Sequence, residues 1–297
     1  MPKPLITVFT PTFNRAYCLH QVYESLLRQE NKNFQWLIID DGSSDNTSEL
    51  VEKWKSQNQI SIQYIYQKNQ GMHGAYNTAY ANIETELNIC IDSDDYLADN
   101  AIQKIEEFWR KNQSPDYSGI VGLDATFDNE IIGKRFPEGL KSSSLEDLYH
   151  KYKVPGDKKL VFRTEIVKKY PPYPLFEGEN FVPHGSLFIL IDKDYELLCL
   201  NEVLVNVEYL ADGSSRNMLH QYWKYPKGFQ YDRLIQIRYS KYWKVKIKNM
   251  IHLVACNIML KDWNIFKGNK YPFLTLLLSP FGLLLYFYIR FHNQPKK

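Results

Sequence analysis

The chain has 297 residues, enough to bury a sizeable core in one large domain or two smaller ones. Charged residues make up 24% of the sequence and aromatic residues 15%, a composition that excludes a disordered chain. The net charge is +2, but residues 224–297 contain 14 Lys and Arg against two Asp, so this segment carries +12 and the preceding residues carry −10. The two parts of the chain are therefore expected to have different partners.

Strand-like and helix-like segments alternate through the first hundred residues. Strands are predicted at residues 5–11, 34–40, 60–66 and 87–92, and helical patterns follow them at about 17–29, 46–55, 73–83 and 99–111. At the start of the second helix, Asn46 and Glu49 have the spacing of a capping box. This alternation predicts an α/β fold in which helices cover both faces of a mostly parallel sheet.

A polar residue or a glycine turn follows each of the four strands, at Asn14, Asp41, Gly71 and Asp94. In open parallel sheets ligands bind at the carboxyl ends of the strands. Four such positions at one edge of the sheet predict a binding site there.

The fourth strand ends in Asp92-Ser93-Asp94-Asp95. Side chains two apart on a strand point to the same face, so Asp92 and Asp94 converge and repel each other unless a cation or a proton lies between them. A magnesium or manganese ion would supply this positive charge, because both ions bind carboxylate oxygens together with substrate phosphates. The alternative is a solvated turn before a helix that begins at Asp99.

After a strand near residues 117–123 the alternation breaks down, and residues 127–209 show a mixed pattern with an acidic stretch at 176–180. We expect this part to continue the same domain and to cover the pocket. The four cysteines, at 18, 90, 199 and 256, have no metal-ligand spacing and indicate free thiols in a reducing compartment. No secretory signal is recognisable at the N-terminus.

Residues 271–289 carry no charge, and about 20 such residues are needed to span a bilayer. The segment just reaches that length, but Pro280 and Gly282 in the middle and the aromatic ends suit an interfacial or re-entrant hairpin at least as well as a span. The basic flanks favour phospholipid over nucleic acid, because no aromatic-interleaved groove accompanies them. The segment predicts membrane association; the alternative is a buried helix pair.

Four motifs in this order resemble those of the family 2 glycosyltransferases, which have the GT-A fold: Thr10-Pro11-Thr12-Phe13-Asn14-Arg15, Asp40-Asp41-Gly42-Ser43-Ser44-Asp45, Asn69-Gln70-Gly71 with Asn77, and Asp92-Ser93-Asp94-Asp95. Residues 176–180, 191–193 and 201–204 resemble the acceptor half of bacterial surface-polysaccharide members. The resemblance reaches to about residue 235.

The resemblance implies a Rossmann-like, mostly parallel sheet in a glycosyltransferase domain at residues 1–235. Residues 1–125 would be the nucleotide-sugar-binding half and 126–235 the acceptor-binding half. The basic, apolar tail at 236–297 lies outside the resemblance, and its own residues predict helices that associate with a membrane. The implied activity is inverting, hexosyltransferase-type transfer (EC 2.4) from a nucleoside diphosphate sugar, with a UDP-sugar expected, to a hydroxyl of a saccharide or lipid-linked saccharide. The expected setting is cell-surface glycan biosynthesis, with Mn²⁺ or Mg²⁺ as the cofactor. We expect a peripheral or monotopic protein on the cytoplasmic side of the cell membrane. No nucleic-acid partner is expected.

The resemblance also assigns the donor site. Asp41 would accept a hydrogen bond from the nucleobase imide, and Asp94 would bind the metal. Asp92 would contact the ribose or the metal. The remaining nucleotide-sugar-binding positions are Pro11, Thr12, Asn14, Asn69 and Gly71.

Inversion by a single displacement needs a base on the face opposite the leaving group. Glu179 is the first candidate and Glu177 the second. Many relatives end this motif in Gly-Glu-Asp with the Asp as base, whereas this chain has Asn180, whose amide cannot accept a full proton. The alternative is that both acids lie in a solvated loop.

Other enzyme classes fit less well. A dinucleotide oxidoreductase would need a Gly-x-Gly-x-x-Gly turn after the first strand, and a nucleotidyltransferase a Gly-rich, Lys-bearing loop there. A glycoside hydrolase would use two carboxylates and no nucleotide site. A non-catalytic nucleotide-sugar-binding or scaffold protein of the same fold at the membrane stays open as the alternative, because of Asn180.

Overall fold

A computed structural model describes residues 3–208 and 218–293. The chain divides into two compact units: the sheet unit, Met1–Pro172 with Asp194–Leu210, and the helical unit, Tyr173–Lys193 with Ala211–Lys297. This division differs from the boundary at residue 235 expected from the sequence, since residues 173–193 group with the C-terminal helices. The functional domains 1–235 and 236–297 stay a prediction.

Within the described residues the sheet unit contains nine strands and six helices. The strands are β1 (Ile6–Thr12), β2 (Phe34–Asp40), β3 (Ile62–Tyr66), β4 (Leu87–Cys90), β5 (Tyr96–Leu97), β6 (Tyr117–Ala125), β7 (Ser142–Ser143), β8 (Lys158–Arg163) and β9 (Glu196–Asn206). The helices are α1 (His20–Arg28), α2 (Thr47–Gln57), α3 (Met72–Asn82), α4 (Ala101–Asn112), α5 (Leu145–His150) and α6 (Thr164–Val167).

All of these strands belong to one sheet with the order β3-β2-β1-β4-β8-β6-β9-β5, and β7 pairs with β9. β1 pairs in parallel with β2 and β4, β2 with β3, and β6 with β9, whereas β8, β5 and β7 pair antiparallel to their neighbours. The predicted α/β fold with a central sheet is confirmed, and among the described strands four pairings are parallel and four antiparallel. The antiparallel strand β5 is a short insertion before α4, and β7 and β8 lie where the sequence alternation breaks down.

Successive side chains along a strand point to opposite faces of the sheet, and helices pack on both faces. Val8 packs in a core cluster with residues of α1, α2 and α4, including Val22 and Trp54. The next residue, Phe9, points to the opposite face, where its ring meets Tyr76 and Tyr80 of α3 at 5.1 and 5.6 Å. Helices therefore cover both faces, as predicted.

The start of α2 differs from the expected capping box. Asn46 makes no side-chain capping hydrogen bond. Instead, the carboxylate of Asp45 accepts from the backbone N–H of Thr47 at 3.1 Å and from its hydroxyl at 2.6 Å. The capping role moves one residue earlier because Asn46 already has φ −81° and ψ 21°, close to the helical region.

The helical unit contains six described helices: α7 (Gly185–Asp192), α8 (Met218–Lys224), α9 (Pro226–Tyr239), α10 (Trp243–Leu260), α11 (Pro272–Leu277) and α12 (Ser279–His292). The uncharged stretch 271–289 forms two helices separated at Leu278. Pro272 and Pro280 lie in their first turns, where a missing N–H costs no hydrogen bond. Among the described helices, none combines the length and the apolar character needed to cross a membrane.

Candidate active site

The loops after β1 and β2 are joined by hydrogen bonds from one of the predicted site residues. Asn14 has φ 53°, a left-handed conformation that Asn tolerates better than most residues. Its backbone N–H donates to the hydroxyl of Ser43 at 2.8 Å, and its amide oxygen accepts from the backbone N–H of Ser44 at 2.7 Å. Asn14 therefore holds the loop after β1 against the loop after β2.

Asp41 lies directly after β2 and is 3% exposed. Its carboxylate accepts from the side-chain amide of Gln67 at 2.7 Å and from the backbone N–H groups of Gln70 and Gly71 at 2.9 and 2.8 Å. Burial raises the pKa of Asp41, while these three donors oppose the rise. A carboxylate has about four lone-pair sites, so one remains for a ligand.

The turn beside Asp41 depends on two glycines. Gly71, which precedes α3, has φ 78°. Gly42 has φ 89°, and a Cβ there would lie 3.0 Å from the backbone nitrogen of Asn69. Both positions favour glycine because other residues rarely adopt this backbone conformation. The structure thus brings Asn69, Gly71 and Asp41 together, as the sequence predicts.

Pro11 and Thr12 form the end of β1 and are buried. The carbonyl of Thr12 accepts from the backbone N–H of Asp41 at 2.8 Å. The hydroxyl of Thr12 has no hydrogen-bond partner among the described residues. A buried hydroxyl without a partner is costly, so this group next to Asp41 is suited to bond to a ligand.

The three carboxyl groups after β4 form a second cluster. Asp92 and Asp94 are half-buried, and Asp95 is buried with an oxygen that accepts from the backbone N–H of Glu208 at 3.2 Å. Burial raises the pKa of Asp95 to about 8, and the negative charges of Asp92 and Asp94 add to this rise. The three carboxyl groups thus lie close enough for their charges to interact.

Lys159 and Asp124 belong to the same electrostatic group, although sequence reasoning missed both. The positive charge of Lys159 on β8 opposes the rise in pKa of Asp95 and of Asp124 on β6. Burial raises the pKa of Asp124 to about 6. A signal for Asp124 was available, since residues 119–123 form an apolar run that ends in Asp, as residues 87–92 do.

This cluster fits a hard divalent cation in charge and in donor chemistry. Asp92 and Asp94 offer carboxylate oxygens, and Mg²⁺ beside a nucleotide is commonly held by one or two carboxylates together with substrate phosphates. Within residues 3–208 and 218–293, His, Cys, Asp and Glu side chains form no group of three or more that would close a metal cage. Asp92 and Asp94 would supply part of a cation shell, and water or substrate phosphates would supply the rest.

His73 lies in the first turn of α3 and is 1% exposed. Neither ring nitrogen has a hydrogen-bond partner in the described part of the chain. Burial lowers the pKa of His73 to about 4, so the imidazole is neutral at pH 7 and offers no positive charge to a phosphate.

The two candidate bases lie in the helical unit, on a tight turn in which the N–H of Glu179 donates to the carbonyl of Phe176. Glu177 is exposed. Glu179 is buried, and its carboxylate accepts from the backbone N–H groups of Lys227 and Gly228 at 3.0 and 2.9 Å, in the first turn of α9. Sequence reasoning did not foresee this helix N-terminus as the partner of Glu179.

The family comparison adds to this geometry. Residues 7–167 match the family model described as glycosyl transferase family 2. The chain belongs to this family. An uncharacterized glycosyltransferase of Nostoc sp. is 29% identical over 175 residues, which cover 56% of this chain and 53% of the relative. The chain thus spans about half the length of this curated relative and a smaller share of several others.

Solved glycosyltransferases share the fold. TarS 1–349 of S. aureus in complex with UDP superposes with a TM-score of 0.59 at 15% identity, covering 98% of this chain and 93% of TarS. The mannosyltransferase PcManGT of Pyrobaculum calidifontis in complex with GDP-Man and Mn²⁺ superposes with a TM-score of 0.56 at 15% identity, covering 97% and 82%. The GT-A fold expected from the motifs is confirmed.

Proposed function

We propose that the protein transfers a sugar from a nucleoside diphosphate sugar to a hydroxyl of a saccharide or lipid-linked saccharide, with inversion at the sugar. The observation that carries the proposal is the neighbourhood of two polar clusters. β1 lies between β2 and β4 in the sheet, so the loop set around Asp41 and the carboxylates after β4 occupy adjacent strand ends. One cluster suits a nucleoside and the other a diphosphate with its cation.

The nucleoside would bind against the loops after β1 and β2. Asp41 keeps an acceptor site for a nucleobase imide, and the Thr12 hydroxyl is suited to a hydrogen bond. Asn14, Asn69 and Gly71 hold these loops in shape. A UDP-sugar is the proposed donor, supported by the UDP complex of the structural neighbour TarS.

Asp94, with Asp92 beside it, would hold Mn²⁺ or Mg²⁺. The bound cation would supply Lewis-acid compensation for the charge that develops on the departing diphosphate. The Mn²⁺ complex of the neighbour PcManGT supports this assignment. Lys159 would limit the repulsion among the carboxylates before a donor binds.

The acceptor hydroxyl would lose its proton to a carboxylate of the turn at residues 176–180. Glu179 is the first candidate, and its contacts with the first turn of α9 give it a second role in positioning that helix. Glu177, which is exposed, is the second candidate. Resemblance of this turn to surface-polysaccharide enzymes supports cell-surface glycan biosynthesis as the setting.

Release of nucleoside diphosphate from a panel of UDP- and GDP-sugars, with Mn²⁺, with Mg²⁺ and with a chelator, tests the proposal. We expect metal-dependent release that Asp94→Ala lowers by roughly 10³-fold. Asp99→Ala is the matched control, because Asp99 is an exposed acid five positions further on. Turnover that persists in chelator would contradict the metal assignment, and donor binding without turnover would favour the non-catalytic alternative.

The base is identified by comparing Glu179→Gln with Glu177→Gln. If Glu179 is the base, Glu179→Gln keeps donor binding but loses transfer, with a somewhat lower melting temperature because its NH₂ group replaces one of the two oxygens that accept from α9, whereas Glu177→Gln remains active. Loss of transfer only in Glu177→Gln would reverse the assignment. A lower melting temperature with normal transfer in Glu179→Gln would leave it a positioning role only.

A further inference from the structure

The helical unit carries many large apolar side chains on its surface. Four of them are about three-quarters exposed: Trp263, Phe273, Leu277 and Phe291, at 75%, 76%, 74% and 74%. Singly exposed apolar residues are ordinary, but a contiguous set marks an interaction surface. We call this set the apolar face; its members are Trp263, Phe266, Phe273, Leu276, Leu277, Phe281, Leu284, Phe287, Tyr288 and Phe291.

The spacing of these residues follows the helical period. Along α12, Phe281, Leu284 and Phe291 lie on the outward side. The inward side is held against α10, since a Cβ at Gly282 would lie 2.4 Å from the Cβ of Val254, and Ile289 is buried in a cluster with Cys256. An ordinary surface helix has a polar outward side, whereas α12 is apolar on both sides.

Aromatic contacts connect α11 to its neighbouring segments. The ring of Phe266 meets that of Phe273 edge-on with centroids 5.7 Å apart, and Trp243 at the start of α10 lies 5.2 Å from Tyr271, just before α11. Trp243 is itself exposed. Trp and Tyr side chains are typical of the boundary between lipid and water.

The charged residues among these apolar side chains are cationic. Lys267, Lys270 and Arg290 are exposed, and residues 263–293 contain no Asp or Glu. Such an arrangement complements anionic lipid headgroups. It disfavours a symmetric pair of chains, because an interface between identical faces would bring like charges together.

We propose that the apolar face docks into the interfacial region of an anionic phospholipid bilayer, with α12 lying along the membrane plane. α12 is about 21 Å long, and because its inward side packs on α10, lipid reaches only its outward side. Phe273, Leu277 and Phe291 would enter the acyl region, while the lysines remain among the headgroups. This inference does not depend on the proposed glycosyl transfer.

Co-sedimentation with vesicles tests the proposal. We expect the wild type to bind vesicles of phosphatidylglycerol and phosphatidylcholine in equal parts. The combined variant Phe273→Gln, Leu277→Gln, Phe291→Gln should lower the partition coefficient by roughly 10²–10³-fold, since each large side chain buried favours binding by about tenfold or more. The control variant Phe127→Gln, Tyr149→Gln removes exposed rings from the sheet unit and should bind like the wild type.

Depth and charge are tested separately. Brominated lipids should quench Trp fluorescence in the wild type, and Trp263→Phe should lose part of that quenching. The variant Lys267→Gln, Lys270→Gln, Arg290→Gln should lose the preference for phosphatidylglycerol over pure phosphatidylcholine and the sensitivity to salt.

Wild-type protein that stays in the supernatant with both kinds of vesicle would overturn the proposal. A wild-type dimer that the Phe273, Leu277 and Phe291 substitutions convert to a monomer, with vesicle binding unchanged, would assign the face to a second copy. Equal melting temperatures of wild type and variants, expected because the altered residues are exposed, ensure that lost binding reflects the lost side chains.

Discussion

In the sheet unit carboxyl groups lie below the surface, whereas in the helical unit large apolar side chains lie on it. Asp41 and Asp124 are each 3% exposed, while Phe273 and Leu277 are 76% and 74% exposed. Both patterns reverse the usual distribution of residues. The first leaves carboxyl groups short of solvation, and the second leaves apolar surface in water.

Each reversal costs free energy in the isolated chain, and under our two proposals a partner outside the chain offsets that cost. A nucleobase would use the remaining acceptor site of Asp41, a cation with a diphosphate would offset the charge of the carboxylates after β4, and lipid would cover the apolar face. The comparison therefore raises the question of which of these residues stabilise the fold and which bind a ligand. Three substitutions and one change of pH, ordered by expected loss of unfolding free energy, test which residues belong to which group.

Asp41→Ala should have the largest effect on stability. It leaves the backbone N–H groups of Gln70 and Gly71 and the amide of Gln67 without their acceptor. We expect the free energy of unfolding to fall by about 4 kcal/mol, because unsatisfied buried donors cost about 1–3 kcal/mol each and water recovers part of this. Urea unfolding measures the change, with exposed Asp99→Ala as control. A stable Asp41→Ala protein would mean that Asp41 is kept for the ligand alone.

Acidification should remove a stabilising contribution of neutral His73, while protonation of Asp95 and Asp124, whose pKa values burial raises to about 8 and 6, acts in the opposite direction. Burial lowers the pKa of His73 from 6.5 to about 4 in the folded protein, so the unfolded chain binds the proton more readily. The part of the unfolding free energy that comes from neutral His73 is fully present above pH 6.5 and falls as the pH is lowered towards 4. The total loss is roughly 3 kcal/mol. His252 in the helical unit, whose pKa burial likewise lowers to about 4, acts in the same direction.

The His73 contribution is isolated by urea unfolding between pH 7.5 and 4. The unfolding free energy of the wild type relative to that of His73→Leu should fall by roughly 3 kcal/mol as the pH is lowered from 7.5 to 4. His20→Gln, which alters an exposed imidazole, should keep the wild-type profile. Parallel profiles for wild type and His73→Leu would mean that the buried imidazole finds a partner for its charged form.

Gly282→Ala should weaken the contact between α12 and α10 in the helical unit. The added Cβ would lie 2.4 Å from the Cβ of Val254 and 2.9 Å from the carbonyl oxygen of Ile251. Overpacking of this kind costs about 2 kcal/mol. Gly185→Ala is the matched control, because its Cβ would find nothing closer than 3.6 Å. Equal stability of the two variants, measured by thermal unfolding, would show that α12 shifts outward without cost.

Much of the sheet unit could be predicted because its signals are local. An apolar strand followed by a carboxylate is visible in a few residues, as at Asp41 and Asp94, and the alternation of strands and helices predicts a sheet with helices on both faces. Lys159 escaped prediction because it reaches the cluster from β8, which enters the sheet after the alternation has ended. Its role depends on pairing between distant strands.

The helical unit was less predictable because its signals are not local. An uncharged stretch such as residues 271–289 does not reveal which side of each helix packs, since both sides are apolar. The close approach at Gly282 decides that question in the structure. Likewise, the grouping of residues 173–193 with the C-terminal helices rests on contacts such as that between Glu179 and Gly228.

Glu179→Ala should have the smallest effect of the four. The carboxylate serves the N–H groups of Lys227 and Gly228 in the first turn of α9, where a negative charge also meets the positive end of the helix dipole. Loss of such a cap costs about 1 kcal/mol, less than the loss at Asp41, because water reaches the end of a helix more easily than a buried turn.

Glu177→Ala is the matched control for Glu179→Ala, since Glu177 lies two residues away, is exposed, and contributes only its backbone carbonyl to Lys227. In urea unfolding, Glu179→Ala should have a free energy of unfolding about 1 kcal/mol lower than that of Glu177→Ala, the cost of one lost helix cap. Hydrogen exchange should quicken at the amides of Lys227 and Gly228 in Glu179→Ala alone, because these two amides lose their acceptor. Unchanged exchange there would mean that the carboxylate is not needed to hold α9, and that its burial serves the acceptor chemistry instead.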